Sequence, residues 1–274
     1  MFLHTYIPEK VFLDLGFASI HWYGLVLCLA IASGFLVAQK LNRRQGILSA
    51  DKLFDLFFYV VIFALLGGRL VHVLTFLNYY LKNPVEILAL WHGGIAFYGV
   101  FLGGAAAIVW QSKKIIIGDE IKNKLLLLLD TVVPAVAIGQ AIGRWGNWFN
   151  QELFGAPTNL AWGIPIDLIN RPLGFENFQY FHPLFLYESL AMLVVFFLLL
   201  YFLKQSWSTK APGLIFGFYL ICHGCIRFTL EFLRLDIQPL IFGLRLFQIV
   251  ASLEIIVGLV LLVLIKKWYN KIYV

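Results

Sequence analysis

"GRWGNWFNQELFG", Gly143–Gly155, closes an apolar stretch that begins near residue 124 and sets an arginine, two asparagines, a glutamine and a glutamate together at its end. Outward from there the chain is mostly oil. Of its 274 residues 61% are hydrophobic and 13% charged, and the mean hydropathy is +0.85. Soluble globular domains do not reach these values, so the composition defines a polytopic membrane protein. The net charge of +6 does not point to nucleic acid, because the basic residues fall in short blocks between apolar runs, the pattern of topogenic signals.

A membrane-crossing helix takes about 20 mainly apolar residues. Seven segments meet that length, near 18–39, 53–77, 94–112, 124–143, 183–203, 212–233 and 243–265. The expected fold is therefore an all-α membrane protein of seven transmembrane helices, one integral domain over 1–274. Residues 150–182, rich in Pro, Gly and Asn breakers, read as a small outward-facing cap, and 78–92 as a shorter outer arm. Alternate loops hold Lys40, Arg43, Arg44 and Lys52, then Lys113, Lys114, Lys122 and Lys124, then Lys204 and Lys210, and finally Lys266, Lys267 and Lys271. The opposite loops hold Lys10, Lys82 and Arg171. This asymmetry predicts an N-terminus outside and a C-terminus in the cytoplasm. The leading "MFLHTYIPEK" lacks the basic region and adjoining apolar run of a cleaved signal, so the first apolar segment is expected to stay as a helix.

Five arginines remain, Arg69, Arg144, Arg227, Arg234 and Arg245, within apolar segments or at their outer ends. A charge at the bilayer centre costs about 2.5–3.5 kcal/mol on insertion scales, so each requires a partner or a wet cavity. Helical spacing places Gln140, Arg144, Asn147 and Gln151 on one face, and Arg227, Glu231 and Arg234 on another. Arg69 and His72 form a third short stripe. Structural ion pairs would account for some of these, Arg227 with Glu231 first. The acids at hand, Glu152, Glu188 and Glu231, are outnumbered, and a surplus of fixed positive charge calls for an anion. A lipid phosphate suits the guanidinium fork. Glycines at 67, 68, 93, 94, 99, 103, 104, 139 and 143 would permit close approach, and Gly99–Gly103 and Gly139–Gly143 have the spacing of tight helix packing. In "CHGC" (222–225) the cysteines read as small residues packing on one helix face rather than as a redox or metal pair. These features leave open a phospholipid-handling enzyme, a lipid transporter and an anion channel.

The chain resembles the prolipoprotein diacylglyceryl transferases in "HWYG" (21–24), "GGR" (67–69), "HGGIAFYG" (92–99), "GRWGNWFNQELFG" (143–155), "HPLFLYE" (182–188) and "RFTLEFLR" (227–234). The resemblance implies a seven-helix enzyme of the bacterial inner membrane that moves the diacylglyceryl group of phosphatidylglycerol to the lipobox cysteine of a prolipoprotein, as a thioether, and releases glycerol 1-phosphate. It assigns Arg144 and Asn147 to the phospholipid head group; we expect Arg144 and Arg227 to bracket the phosphate. Arg227, Glu231 and Arg234 make a second polar wall, and Tyr23, Arg69, Glu152, Gly155 and Glu188 line the site. Phosphatidylglycerol, the lipobox peptide and the bilayer are the expected partners; no cofactor or metal is called for. Two departures stand out. Tyr98 occupies the place of a family histidine associated with the acceptor thiol, and Phe247 precedes Gln248 where the family pattern has glycine. Tyrosine, with an ordinary pKa of about 10, is a poor base without nearby cations. Tyr98 as phenolate or hydrogen-bond donor, a substitute among His72, His92 and Glu231, and activation by the positive field all remain open.

Overall fold

The computed structural model describes residues 2–16, 19–89, 93–115, 121–236, 238 and 240–273. Among them seven helices of 18 residues or more follow one another: α1 (Trp22–Gln45), α2 (Ala50–Thr75), α3 (Phe97–Ile115), α4 (Ile121–Asn150), α5 (Leu184–Leu203), α6 (Leu214–Glu231) and α7 (Leu246–Tyr273). Six are long and apolar enough to cross a membrane, while α3 is apolar over the shorter stretch Gly99–Ser112.

The boundaries differ from the hydropathy reading where local chemistry intervenes. α1 starts at Trp22 because residues 19–21 are taken by a hairpin, β1 (Val11–Asp14) with β2 (Ser19–His21). α4 continues through Pro134 and carries the whole of "GRWGNWFN", so the block read at a segment end is its last two turns. The helix stops because Gln151 and Leu153 turn to φ 52° and 55°. Gln151 therefore leaves the face that it was expected to share with Gln140, Arg144 and Asn147.

The chain forms two compact units. One, residues 42–125, is built on α2 and α3. Ser49 caps α2 by accepting from the Lys52 amide at 3.4 Å. The two helices pack through glycine: a Cβ on Gly99 would meet the Gly67 carbonyl oxygen at 2.1 Å, and one on Gly103 the Phe63 oxygen at 2.0 Å. The Gly99–Gly103 spacing is thus a packing device. After α2 come a short helix, Leu77–Lys82, and a 3-10 turn, Pro84–Leu88, the expected outer arm.

The other unit holds residues 1–41 and 126–274. Val133, Ala137 and Ala141 of α4, Met192, Val195 and Leu199 of α5, and Ile215 and Tyr219 of α6 make its core. A buried acid completes the start of α6: Asp130 accepts from the Gly213 amide at 2.6 Å and the Phe216 amide at 2.7 Å, satisfying helix-end donors that hydrocarbon could not. α6 packs on α7 through Gly217, Gly224 and Gly258. In "CHGC" it is therefore Gly224 that makes the close contact; Cys222 is half-buried and Cys225 exposed, both free.

Residues 151–183 fold over a second cluster of Trp148, Phe154, Ile164, Ile166, Phe181 and Phe185. Two short strands, β3 (Ile164–Pro165) and β4 (Tyr180–Phe181), pair inside it. Gln151 pins this segment, accepting from the Asp167 amide at 2.8 Å and donating to the Asp167 carboxylate at 2.6 Å. A third hairpin, β5 (Leu240–Ile241) with β6 (Leu244–Arg245), leads into α7.

Candidate functional site

Three helices of the larger unit bring their charges to one place. Glu188, buried in the first turns of α5, pairs with Arg144 of α4 at 2.5 Å through one oxygen and with Arg227 of α6 at 2.9 Å through the other. The register of α4 against α5 is set next door: Ser189 donates to the Ala141 carbonyl at 2.7 Å and accepts from the Trp145 indole at 3.2 Å. Trp145 in turn stands edge-on to Phe185. The aromatic residues of the 143–155 block are thus the wedge that aims Arg144.

A second centre lies at the end of α6. Glu231, with no exposed surface, lies 3.8 Å from Arg227, 3.7 Å from Arg234 and 3.4 Å from Arg245. Arg234 also grips Asp236 through two bonds of 2.7 and 3.1 Å. Burial pushes the Asp236 carboxyl up, but hydrogen bonds from Arg234 and Gln238 outweigh it and hold the group below the usual carboxylate range. Arg245 donates to the carbonyls of Glu231 at 2.9 Å, Arg234 at 2.6 Å and Asp236, closing the chain reversal after α6. Phe247, where the family pattern has glycine, supplies a ring that faces both Arg227 and Arg234, at 5.9 and 5.5 Å.

In this network four guanidiniums meet three carboxylates, which leaves one positive charge. The surplus expected from sequence is thus smaller than it looked. It is also local. Among the described residues, the buried Arg144 Nε–H has no acceptor. Beside it a small cleft is lined by Arg144, Glu188, Arg227 and Arg234 together with Leu153, Leu184, Phe185 and Leu230. A lining that mixes guanidiniums with apolar side chains suits an amphiphile with an anionic group.

The other expected site residues take supporting places. Asn147, buried, donates to the exposed Glu152 carboxylate at 2.9 Å, and Asn150 does so at 3.4 Å, so Asn147 acts on its surroundings through Glu152. Tyr23 lays its ring over Gly146, where a Cβ would come within 2.8 Å of it. Gly155 is a packing residue: its amide donates to the His182 carbonyl at 2.8 Å, and a Cβ would stand 2.9 Å from that of His182. It also bridges to the backbone of Arg234, tying the 151–183 segment to the end of α6.

Arg69 belongs to the smaller unit and is fully engaged there. It donates to the carbonyls of Ile87 at 2.9 Å, Gly93 at 2.7 Å, Gly94 at 3.0 Å and Ala89 at 3.3 Å, and to that of Glu86. Gly93 and Gly94 have φ of 81° and 78°, the left-handed conformation that turns both carbonyls toward it. Arg69 is therefore the post around which the segment from Glu86 to Gly94 is wound, not a free cation. His72 lies beside the same turn, against Gly94, Phe76 and Tyr80. His92 and the Tyr98 side chain lie outside the described residues.

Sequence reasoning passed over one group. Gln140 neither joins Arg144 nor stands alone: its amide meets His223 at 3.3 Å and its oxygen accepts from Tyr219 at 3.0 Å. His223 continues to Glu254 of α7 at 2.7 Å. The available signal was Glu254, a lone acid in the apolar run 243–265.

With this geometry in place, the comparisons with known proteins are decisive. Residues 10–264 match the family model described as prolipoprotein diacylglyceryl transferase. The chain belongs to that family. It is 39% identical over 259 residues to the phosphatidylglycerol–prolipoprotein diacylglyceryl transferase of Synechococcus elongatus, covering 93% of this chain and 87% of the relative. The protein of the same name from Prochlorococcus marinus strain MIT 9301 is 39% identical over 254 residues, 86% of this chain and 82% of its own. That from Thermosynechococcus vestitus is 38% identical over 247 residues, 90% and 88%. The family membership rests on nearly the full length of the chain.

Proposed function

We propose that this chain moves the diacylglyceryl group of phosphatidylglycerol to the thiol of a lipobox cysteine in a prolipoprotein, forming a thioether and releasing glycerol 1-phosphate. The observation that carries the reading is the unpaired Arg144 Nε–H beside a cleft lined by both charged and apolar side chains. In the reaction the carbon–oxygen bond to phosphate breaks, its electron pair stays on the phosphate oxygen, and sulfur takes the carbon. Charge grows on the leaving oxygen, so fixed guanidiniums favour the transition state over the bound ester. Arg144 and Arg227 hold the phosphate, and Glu188 keeps the pair apart and aimed. Glu231 and Arg234 extend the polar wall; Asn147, Glu152, Tyr23 and Gly155 shape its surroundings. Tyr98 takes part in the reaction, as phenolate or as hydrogen-bond donor.

In this reading α3 is the seventh crossing of a single integral domain. Residues 150–182 cap it on the periplasmic side of the bacterial inner membrane, with the N-terminus periplasmic and the C-terminus cytoplasmic. The distribution of Lys and Arg among the loops supports that orientation. The test is to incubate membranes containing the protein with phosphatidylglycerol and a lipobox peptide and to weigh the peptide. A diacylglyceryl adduct on its cysteine is the expected product. Lipid movement across the membrane with no adduct would turn the reading to a transporter. Tyr98→Phe lowers turnover, whereas Tyr98→His keeps or raises it; undiminished turnover of Tyr98→Phe removes the residue from the reaction.

A further inference from the structure

The transfer proposed above needs a thiolate, and a cysteine thiol with a pKa of about 8.5 keeps most of its proton at neutral pH. The cleft itself offers no free base: Glu188 is held between Arg144 and Arg227, and Glu231 among three arginines. One helical turn before Arg227 on α6 stands His223, hydrogen-bonded through both ring nitrogens. The Gln140 oxygen accepts from the Tyr219 hydroxyl, and the Gln140 NH2 faces His223 Nε2 at 3.3 Å. In the neutral tautomer that carries its proton on Nδ1, Nε2 accepts from Gln140 and Nδ1–H donates to Glu254 at 2.7 Å. That is the arrangement of an imidazole base held by a carboxylate, with its lone pair turned away from the carboxylate. Neither side chain is sealed off, at 16% and 26% exposed.

We propose that His223, oriented by Glu254, takes the proton of the acceptor thiol. This inference rests on the diacylglyceryl transfer reading. Around His223 stand Glu254 from α7, Gln140 from α4, Glu188 from α5, and Tyr219 on its own helix. A carboxylate behind the ring stabilises the imidazolium that forms. The depth also fits. In the proposed orientation the arginines face the head group, and the glycerol carbon that sulfur must reach lies beneath the phosphate. A base about 5.4 Å further down the helix axis is at the level of that carbon rather than of the phosphate. The S–H proton passes to Nε2 as the Gln140 amide gives way, sulfur bonds to the glycerol carbon, and the electron pair of the broken C–O bond leaves on the phosphate. The proton held by His223 then goes to water or to the released phosphate.

Purified protein in phosphatidylglycerol vesicles, assayed with a lipobox peptide from about pH 6 to pH 9.5 to bracket the thiol, tests this. His223→Gln should lower kcat/KM about 100-fold or more near pH 7. The deficit should shrink as pH passes about 8.5, where the peptide supplies its own thiolate, and KM for the lipid should hold. Glu254→Gln should show a smaller deficit with the same pH trend. Undiminished turnover of His223→Gln, or a loss of equal factor at every pH, overturns the proposal. Where His223→Gln does not insert, Glu254→Gln decides by the same two criteria. Absence of any adduct from the unmodified protein would instead count against the transfer reaction itself.

Discussion

Arg69 and Arg144 read alike along the chain, each following glycine inside an apolar helix, in "GGR" and "GR". Their surroundings differ. Arg69 gives its donors to five backbone carbonyls of the arm between Glu86 and Gly94. Arg144 meets one carboxylate, which it shares with Arg227, and keeps its Nε–H without an acceptor among the described residues. The first arrangement replaces the backbone partners that water would otherwise give to an irregular segment. The second leaves hydrogen-bonding capacity unspent beside a cleft. A guanidinium in an apolar helix is therefore no sign of chemistry until its acceptors are known.

The sharpest way to break this contrast is Arg144→Ala. It should abolish thioether formation in inserted protein, at least the 100- to 1,000-fold typical of losing one preorganised donor, and peptide mass spectrometry after incubation reads it out. Full activity would remove the site. Arg69→Ala should act first on structure: five carbonyls lose their donor, and segment 77–95 should become far more open to protease while α4 to α7 stay protected. Arg69→Lys should not rescue it, because an ammonium cannot reproduce the five-donor fork. An intact arm with a raised KM for lipid would mean that Arg69 serves the substrate after all.

Gly155→Ala should cost about 1–3 kcal/mol, seen as a lower thermal midpoint, because the added methyl would collide with His182 and Leu184; an unchanged midpoint would show that the segment yields freely. The smallest effect belongs to Asp236. Its carboxyl is held below the ordinary range, so it stabilises the fold above the unfolded value of about 3.9 and loses that contribution as pH falls through the folded one. The difference in thermal midpoint between Asp236→Asn and the unmodified protein should therefore begin to shrink below about pH 4 and vanish only once pH has fallen below the depressed folded value. A difference that persists in acid would mean that the Arg234 grip depends on shape rather than charge.

Part of the site was legible. "RFTLEFLR" has the helical spacing that puts Arg227, Glu231 and Arg234 together, and they are together. The face drawn through Gln140, Arg144, Asn147 and Gln151 was not, since Gln151 leaves the helix at positive φ and Gln140 turns to Tyr219 and His223. Phe247 under two guanidiniums was invisible, because its partners lie 13 and 20 residues earlier in the chain.

The sequence by itself determined that this chain lives in a membrane, roughly where its long helices run, and which family it resembles. Those properties follow from composition, period and ordered motifs, each readable locally. Which arginines are free and which are spent was decided only by the tertiary structure. Hydrogen-bond capacity is settled between residues far apart in sequence, as Glu188 of α5 shows by reaching Arg144 and Arg227 across 44 and 39 residues of chain.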